Sequence, residues 1–369
     1  MPLSADVVVA GAGIVGCSIA RELAAAGLRV LVVERDAVGA GSSRAAAGLL
    51  APQIEATGPG PLLELGLAAR QQFPALVEEL RAETGIDPGY RRGGTLALAF
   101  DDMEAQRLDA AVGWQHAAGL PYERVAGAAV GSLEPAVAPG VRSGILFPAD
   151  HQVDNVALVR ALAASAARRG ARFSFGRPVI GIESSGRDFT GLRLEGDRVA
   201  AGIGVLAAGC WTSKLEGLPD PIPVRPVRGQ MAQLEADPRL IGRAILDGPH
   251  YLVPRGDGRI LAGSTLEDAG YTGGVTAGGL GAILAAASRI VPALAAAPIR
   301  ETWSGLRPGT PDDLPIIGAS SLRGLFHATG HYRNGILLGP ITGSLLREWI
   351  VTGAPSRPLA AFDPTRFVR

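Results

Sequence analysis

Two arginines in the last third of the chain stand where side chains can do chemistry. Arg307 lies in Trp303-Ser-Gly-Leu-Arg307-Pro-Gly309, and Arg333 in Gly330-His331-Tyr332-Arg333-Asn334-Gly335. Both turns are framed by glycine, which lets the backbone approach a ligand closely. The second runs straight into the apolar stretch Ile336-Leu337-Leu338, which reads as a helix. Unpaired amides and a positive dipole end therefore face that corner, which suits a ligand carrying negative charge. A guanidinium presents two parallel donors to a carboxylate, as lysine cannot, so Arg307 is the favoured carboxylate clamp and Arg333 the second candidate. The alternative for either is an ion pair with Asp312, Asp313 or another surface acid.

The opposite end of the chain identifies the ligand class. Asp6 to Ala10 reads as a short apolar strand. Gly11-Ala12-Gly13-Ile14-Val15-Gly16 follows and opens a helix from Cys17 to Ala26, closed by Gly27. A second buried strand, Arg29-Val-Leu-Val-Val, ends in Glu34. Strand, glycine turn, helix and acid together form a dinucleotide fingerprint. The glycines Gly11, Gly13 and Gly16 permit the tight turn, the helix N-terminus takes the pyrophosphate, and Glu34 takes a ribose hydroxyl.

The remaining elements must position these two ends. Helices are expected at 62–85, 103–119, 155–170 and 280–291, and strands at 95–100, 144–147 and 199–208. Three further strands are expected between Arg228 and Thr265, the last two joined at Arg255-Gly-Asp-Gly258. With Asp257-Gly258 at the centre of that turn, Tyr251 falls opposite Ser264, and Leu266 shares its face. Parallel α/β pieces at both ends with antiparallel pieces between imply two domains that exchange chain more than once. The expected division assigns 1–85, 150–225 and 300–369 to a cofactor domain and 86–149 and 226–299 to a substrate domain.

Bulk properties narrow the class. Lys plus Arg equals Asp plus Glu at 35 each, so no net field favours nucleic acid or an anionic membrane. No apolar run reaches the roughly 18 residues of a spanning helix. Almost nothing precedes the first strand, which leaves no room for a signal peptide. Cys17 and Cys210, the two cysteines, offer neither a disulfide framework nor a metal cluster, and both read as small core residues. The expected setting is cytoplasmic, without nucleic-acid or membrane partners; homo-oligomerisation stays open.

Several segments together resemble the D-amino-acid oxidase family of flavoproteins, and within it the bacterial glycine oxidases of thiamine biosynthesis. They are GAGIVGCSIARELA at the start, SSRAAAGLLAPQ at 42–53, YLVPR at 251–255, GSTLE at 263–267, GLRPGTPDDLPIIG at 305–318 and GHYRNGILL at 330–338. The resemblance covers nearly the whole chain. It implies a Rossmann-like FAD-binding domain interleaved with an antiparallel-sheet substrate domain, and it makes the dinucleotide FAD. That FAD is expected to be non-covalent, because neither cysteine lies in the C-terminal third where sarcosine-oxidase relatives tether flavin.

Positions implied for FAD, beside the fingerprint and Glu34, are Ile14, Val15, Arg35, Ser42, Ser43, Ala46, Ala47, Gly48, Leu49, Val179 and Gly305. To these the resemblance adds His331, Arg333, Asn334, Gly335, Ile336 and Leu337. For substrate it implies Arg307, Arg333, Tyr251 and Leu266, the first three also in the catalytic set. Tyr251 read without the resemblance is equally a packed strand aromatic. The implied reaction is oxidation of glycine or small N-substituted glycines by hydride transfer from Cα to flavin N5, with O2 as acceptor. Products are glyoxylate, ammonia or amine, and H2O2, with dehydroglycine supplied to thiamine thiazole synthesis. Alternatives are a D-amino-acid or proline dehydrogenase serving a quinone, and an oxidase of larger N-carboxymethyl amino acids. His331 invites the role of general base, but hydride transfer from a neutral amine requires none. It is instead expected to position or to touch the flavin.

Overall fold

The computed structural model describes residues 3–368. The chain has an α/β architecture built on two eight-stranded sheets. In the first, Leu325–Thr329, Asp197–Leu206, Leu3–Ala10, Val30–Val33 and Arg172–Ser174 lie side by side and parallel, with Ile316–Ala319 antiparallel at one edge. The central strands read as continuous apolar runs, because helices cover them. Val7, Val9, Val30 and Val32 face a core shared with helices Ile14–Ala25, Asn155–Arg168 and Gly335–Thr352, while Val8, Leu31 and Val33 face a second cluster. Helix Ile14–Ala25 lies against Gly335–Thr352 so closely that a Cβ on Gly343 would fall 2.8 Å from the Ser18 backbone. The glycine turn is thereby fixed against the helix that follows Arg333.

The second sheet runs Ile299–Gly309, Arg225–Glu235, Arg259–Gly263, His250–Pro254, Ala244–Asp247, Thr95–Ala99, Ser143–Phe147, Glu123–Ala126. All its pairings are antiparallel except that of Ala244–Asp247 with Thr95–Ala99. The two-residue period of a strand sorts its side chains. Ile245, Leu252, Ile260 and Ala262 pack under helix Ala277–Ile290. Leu246, Tyr251, Val253 and Leu261 face the other way, toward Ala47 and Trp303. This second face is the one turned to Ala47 and Leu49.

Three expectations are corrected here. Strand Ile299–Gly309, expected with 300–369 in the cofactor domain, pairs along its length with Arg225–Glu235 in the antiparallel sheet. Four strands, not three, lie between 225 and 263, the extra one being the short Ala244–Asp247. The hairpin at 255–259 closes on a three-residue loop, with the Arg255 amide donating to the Arg259 carbonyl at 2.8 Å. Gly256 and Gly258 both take positive φ, at 84° and 98°, which the longer loop requires. The register therefore sets Tyr251 opposite Gly263 rather than Ser264. A further hairpin, Val179–Ser185 with Asp188–Leu194, was not read from the sequence. Among the described residues no helix is long and apolar enough to cross a membrane.

Candidate functional site

The dinucleotide corner is made chiefly of backbone. Gly11 takes φ +104°, and a Cβ there would lie 2.6 Å from the Ala207 carbonyl oxygen, so only glycine lets the turn close against the neighbouring strand. Helix Ile14–Ala25 begins directly after it, aiming amides and dipole outward. Glu34 ends the second strand, and its carboxylate accepts from the Ala12 amide at 2.7 Å and the Asp36 amide at 2.9 Å. The Ser43 hydroxyl accepts from the Ile14 amide at 2.9 Å, joining the Ser/Ala loop to the helix start. A cradle that excludes a side chain, a helix N-terminus and an acid one strand away fit a dinucleotide. Arg35 packs 4.1 Å over the Trp211 ring. Trp211 follows the strand Asp197–Leu206 and was missed; its signal is Gly209-Cys210-Trp211 at a strand end. Val179 opens its hairpin, partly buried.

The loop 42–48 is held from behind. Buried Asn155 donates to the Ser43 and Arg44 carbonyls at 2.7 and 3.0 Å and accepts from Arg255 at 2.6 Å. Arg255 donates also to the Val153 carbonyl at 2.6 Å, and burial pushes its guanidinium down to about 10. The hairpin that carries Tyr251 is thus tied to loop 42–48. Trp303 adds a second tie, its Nε1 donating to the Ala45 carbonyl at 3.2 Å.

One cavity gathers many of the expected positions: Ser42, Ala46, Ala47, Gly48, Leu49, Tyr251, Gly305, Arg307, Arg333, Asn334 and Ile336 all line it. Arg307, half-buried, donates to the Ser264 hydroxyl at 2.8 Å and the Thr265 carbonyl at 3.2 Å. Both acceptors are neutral, and among the described residues no carboxylate pairs with it. Its guanidinium lies flat against Gly229 on the adjacent strand, where a Cβ would meet Nη1 at 2.1 Å. Tyr251 is 8% exposed, and its hydroxyl donates to the Met231 sulfur at 3.2 Å. Gly229, Ser264, Tyr332 and Glu55 line the same cavity, and none of them was among the expected site positions.

Arg333 differs from Arg307. Its Nε and Nη2 donate to the two carboxylate oxygens of Glu55 at 2.6 and 2.8 Å. That hydrogen-bonded pair holds the guanidinium charged, well above its ordinary range. The ion-pair alternative holds for Arg333, though with Glu55; Asp312 instead pairs with Arg366. Tyr332 stands between the two arginines with φ 46°, its amide donating to the Pro308 carbonyl at 3.1 Å.

Beyond the dinucleotide corner, four expected contacts do not line the cavity. His331 is 3% exposed; its Nε2 lies 3.0 Å from the Thr342 hydroxyl, which itself donates to the Leu338 carbonyl and so accepts from the ring. Burial pushes its imidazole down to about 4, so it is neutral near pH 7 and occupied within the protein. Leu337 is buried against helix Pro61–Thr84, where the apolar face of its own helix must point. Leu266, 59% exposed, follows the end of its strand and does not line the cavity, because the strand stops at Gly263. Gly335 starts the last helix without lining the cavity. Burial raises both cysteine thiols, Cys210 to about 11, and neither lines the cavity.

The family model described as FAD dependent oxidoreductase (DAO) matches residues 6–349. The chain belongs to this family of FAD-dependent oxidoreductases. It is 36% identical to the bifunctional protein ThiO/ThiG of Trichormus variabilis over 99% of its own length, and it spans 55% of that relative. It is 36% identical to a glycine oxidase of Geobacillus kaustophilus, covering 98% of this chain and 97% of the other. The crystal structure of a glycine oxidase from that organism superposes with a TM-score of 0.95 at 35% identity, each chain fully covered. The cofactor of this family is FAD.

Proposed function

We propose that this flavoenzyme oxidises glycine and small N-substituted glycines with O2, giving glyoxylate, ammonia or amine, and H2O2. The observation that carries the reading is Arg307, a guanidinium without a carboxylate partner, facing Tyr251 across a cavity lined by the Ser/Ala loop. Arg307 binds the substrate carboxylate with two parallel donors, and Tyr251 turns its hydroxyl from the weak sulfur acceptor of Met231 to the same group. The cation also disfavours a second positive charge nearby, so it promotes loss of the ammonium proton. Neutral His331 moves no proton. FAD, when bound, would supply a two-electron acceptor for the hydrogen on Cα that O2 can reoxidise.

Gly11, Gly13, Gly16 and Glu34 would hold the dinucleotide, with Arg35 and Val179 on the adenosine side. Ser42, Ala46, Ala47, Gly48 and the helix start at Asn334 would hold the flavin, where the helix dipole favours the charge that reduction adds. The parallel-sheet unit, 1–85, 150–225 and 310–369, forms the FAD domain; 86–149 and 226–309 form the substrate domain. We place the reaction upstream of thiazole formation in thiamine synthesis, as the resemblance implies. Buried, unpaired Cys17 and Cys210 suit a reducing, cytoplasmic setting. Anaerobic titration of the yellow holoprotein with glycine, sarcosine, D-alanine and D-proline tests the reading. Bleaching by glycine and sarcosine, with peroxide on admitting air, is expected; bleaching by D-proline alone overturns it.

A further inference from the structure

We infer that Glu55 sets the charge the cavity accepts: by pairing with Arg333 it leaves Arg307 as the unpaired cation of the lining, so the site takes one carboxylate and disfavours a second. The inference rests on the reading of the cavity as an amino-acid site. Arg307, Arg333 and Glu55 are the charged side chains of that lining, and together they carry one net positive charge. Glycine presents one carboxylate to it. A substrate with a second carboxylate must take Arg333 from Glu55 and leave that acid unpaired beside it.

Glu55 is no mobile surface acid. It ends the short helix Pro52–Glu55, whose Gln53 and Ile54 amides donate to the Asp150 carboxylate at 3.5 and 3.0 Å. Arg70 binds the same carboxylate at 2.7 Å and the Gln53 side-chain oxygen at 2.9 Å. Gln53 and Asp150 are fully buried. The fold therefore presents the Glu55 carboxylate to Arg333, and both its oxygens are used. Releasing Arg333 with a neutral partner of the same shape offers a second fork to an anionic arm on the substrate nitrogen.

The test uses holoprotein with sarcosine and iminodiacetate, which share the glycine unit and differ by a carboxylate on the nitrogen arm. Anaerobic flavin reduction gives an apparent affinity and a limiting rate for each. Glu55→Gln should raise the affinity for iminodiacetate relative to sarcosine by about ten- to a hundredfold. Glu55→Gln combined with Arg333→Gln should lose that gain. Arg333→Gln alone leaves the acid unpaired and should move the ratio the other way, so the outcome is readable even where Glu55→Gln folds poorly. Binding of malonate against acetate, followed by the flavin spectrum, gives the same ratio without turnover. A wild type that no glycine derivative reduces overturns the proposed reaction, while the malonate ratio still decides Glu55. An unchanged ratio in Glu55→Gln, or a gain that survives loss of Arg333, overturns this inference.

Discussion

The strand that carries Arg307 and the turn that runs from His331 to Arg333 face each other, tied by the Tyr332 amide and the Pro308 carbonyl. Both are glycine-framed, both carry a strong polar group, and they spend those groups differently. Along the strand the Arg307 guanidinium meets only a hydroxyl and a carbonyl. Within the turn, His331 is bonded to Thr342 and Arg333 to Glu55, so both of these groups are answered inside the protein. A buried or half-buried charge without a counter-charge is costly unless a ligand supplies one. The difference separates a cation free to meet a ligand from one already paired.

The largest effect is expected at the free group. Arg307→Ala removes two charge-assisted bonds, each about 1.5–3 kcal/mol, so substrate affinity should fall at least a hundredfold. Arg307→Lys keeps the charge but loses the fork, and roughly ten- to a hundredfold should be lost. Concentration dependence of anaerobic flavin reduction measures both. An Arg307→Ala enzyme with the wild-type dependence would erase the contrast between the two segments.

The answered group should instead report on folding. The His331 imidazole lies at about 4 in the folded chain against 6.5 when free. A depressed value means that stability is fully present above 6.5 and is lost as pH falls toward 4, by on the order of 3 kcal/mol. His331→Gln should lose that part of the acid sensitivity. Asp150, whose carboxyl burial pushes up to about 6, titrates in the opposite sense and cancels when the two proteins are compared. Urea unfolding at pH 7.5 and 4.5 measures the difference. The variant should still reduce flavin within about two orders of magnitude of wild type, since general-base help typically supplies 10²–10⁴-fold and none is needed. Abolished reduction with flavin bound would return His331 to the chemistry.

How far the sequence carries depends on the kind of contact. The glycine turn, its helix and Glu34 were legible because backbone geometry and a twenty-residue spacing define them. Which arginine is free was not. Glu55 and Arg333 are 278 positions apart, and no local pattern pairs them. Gly229 matters only because Arg307 lies across it from the neighbouring strand. The partner expected for Tyr251 was off by one, because Gly256-Asp257-Gly258 forms a three-residue loop rather than a two-residue one. The same hairpin misled at Leu266, where a strand expected to continue stops three residues earlier.

Tyr251 tests the contrast at its finest. Its hydroxyl is buried and faces the cavity, yet its present acceptor is a thioether sulfur at 3.2 Å, a poor partner. It belongs with Arg307 as a group still available to a ligand, but its bond to a carboxylate would be a single one. Tyr251→Phe keeps the ring that packs with Leu246, Val253 and Leu261, so the fold should hold. Losing one hydrogen bond to a charged group costs about 1.5–3 kcal/mol at most, and Met231 leaves no unsatisfied polar atom behind to add to it. Apparent substrate affinity should drop by no more than roughly ten- to a hundredfold, less than in Arg307→Ala, with FAD binding unchanged. A Tyr251→Phe enzyme that matches wild type at every substrate concentration would make the residue a packed strand aromatic, and Arg307 would then hold the carboxylate without it.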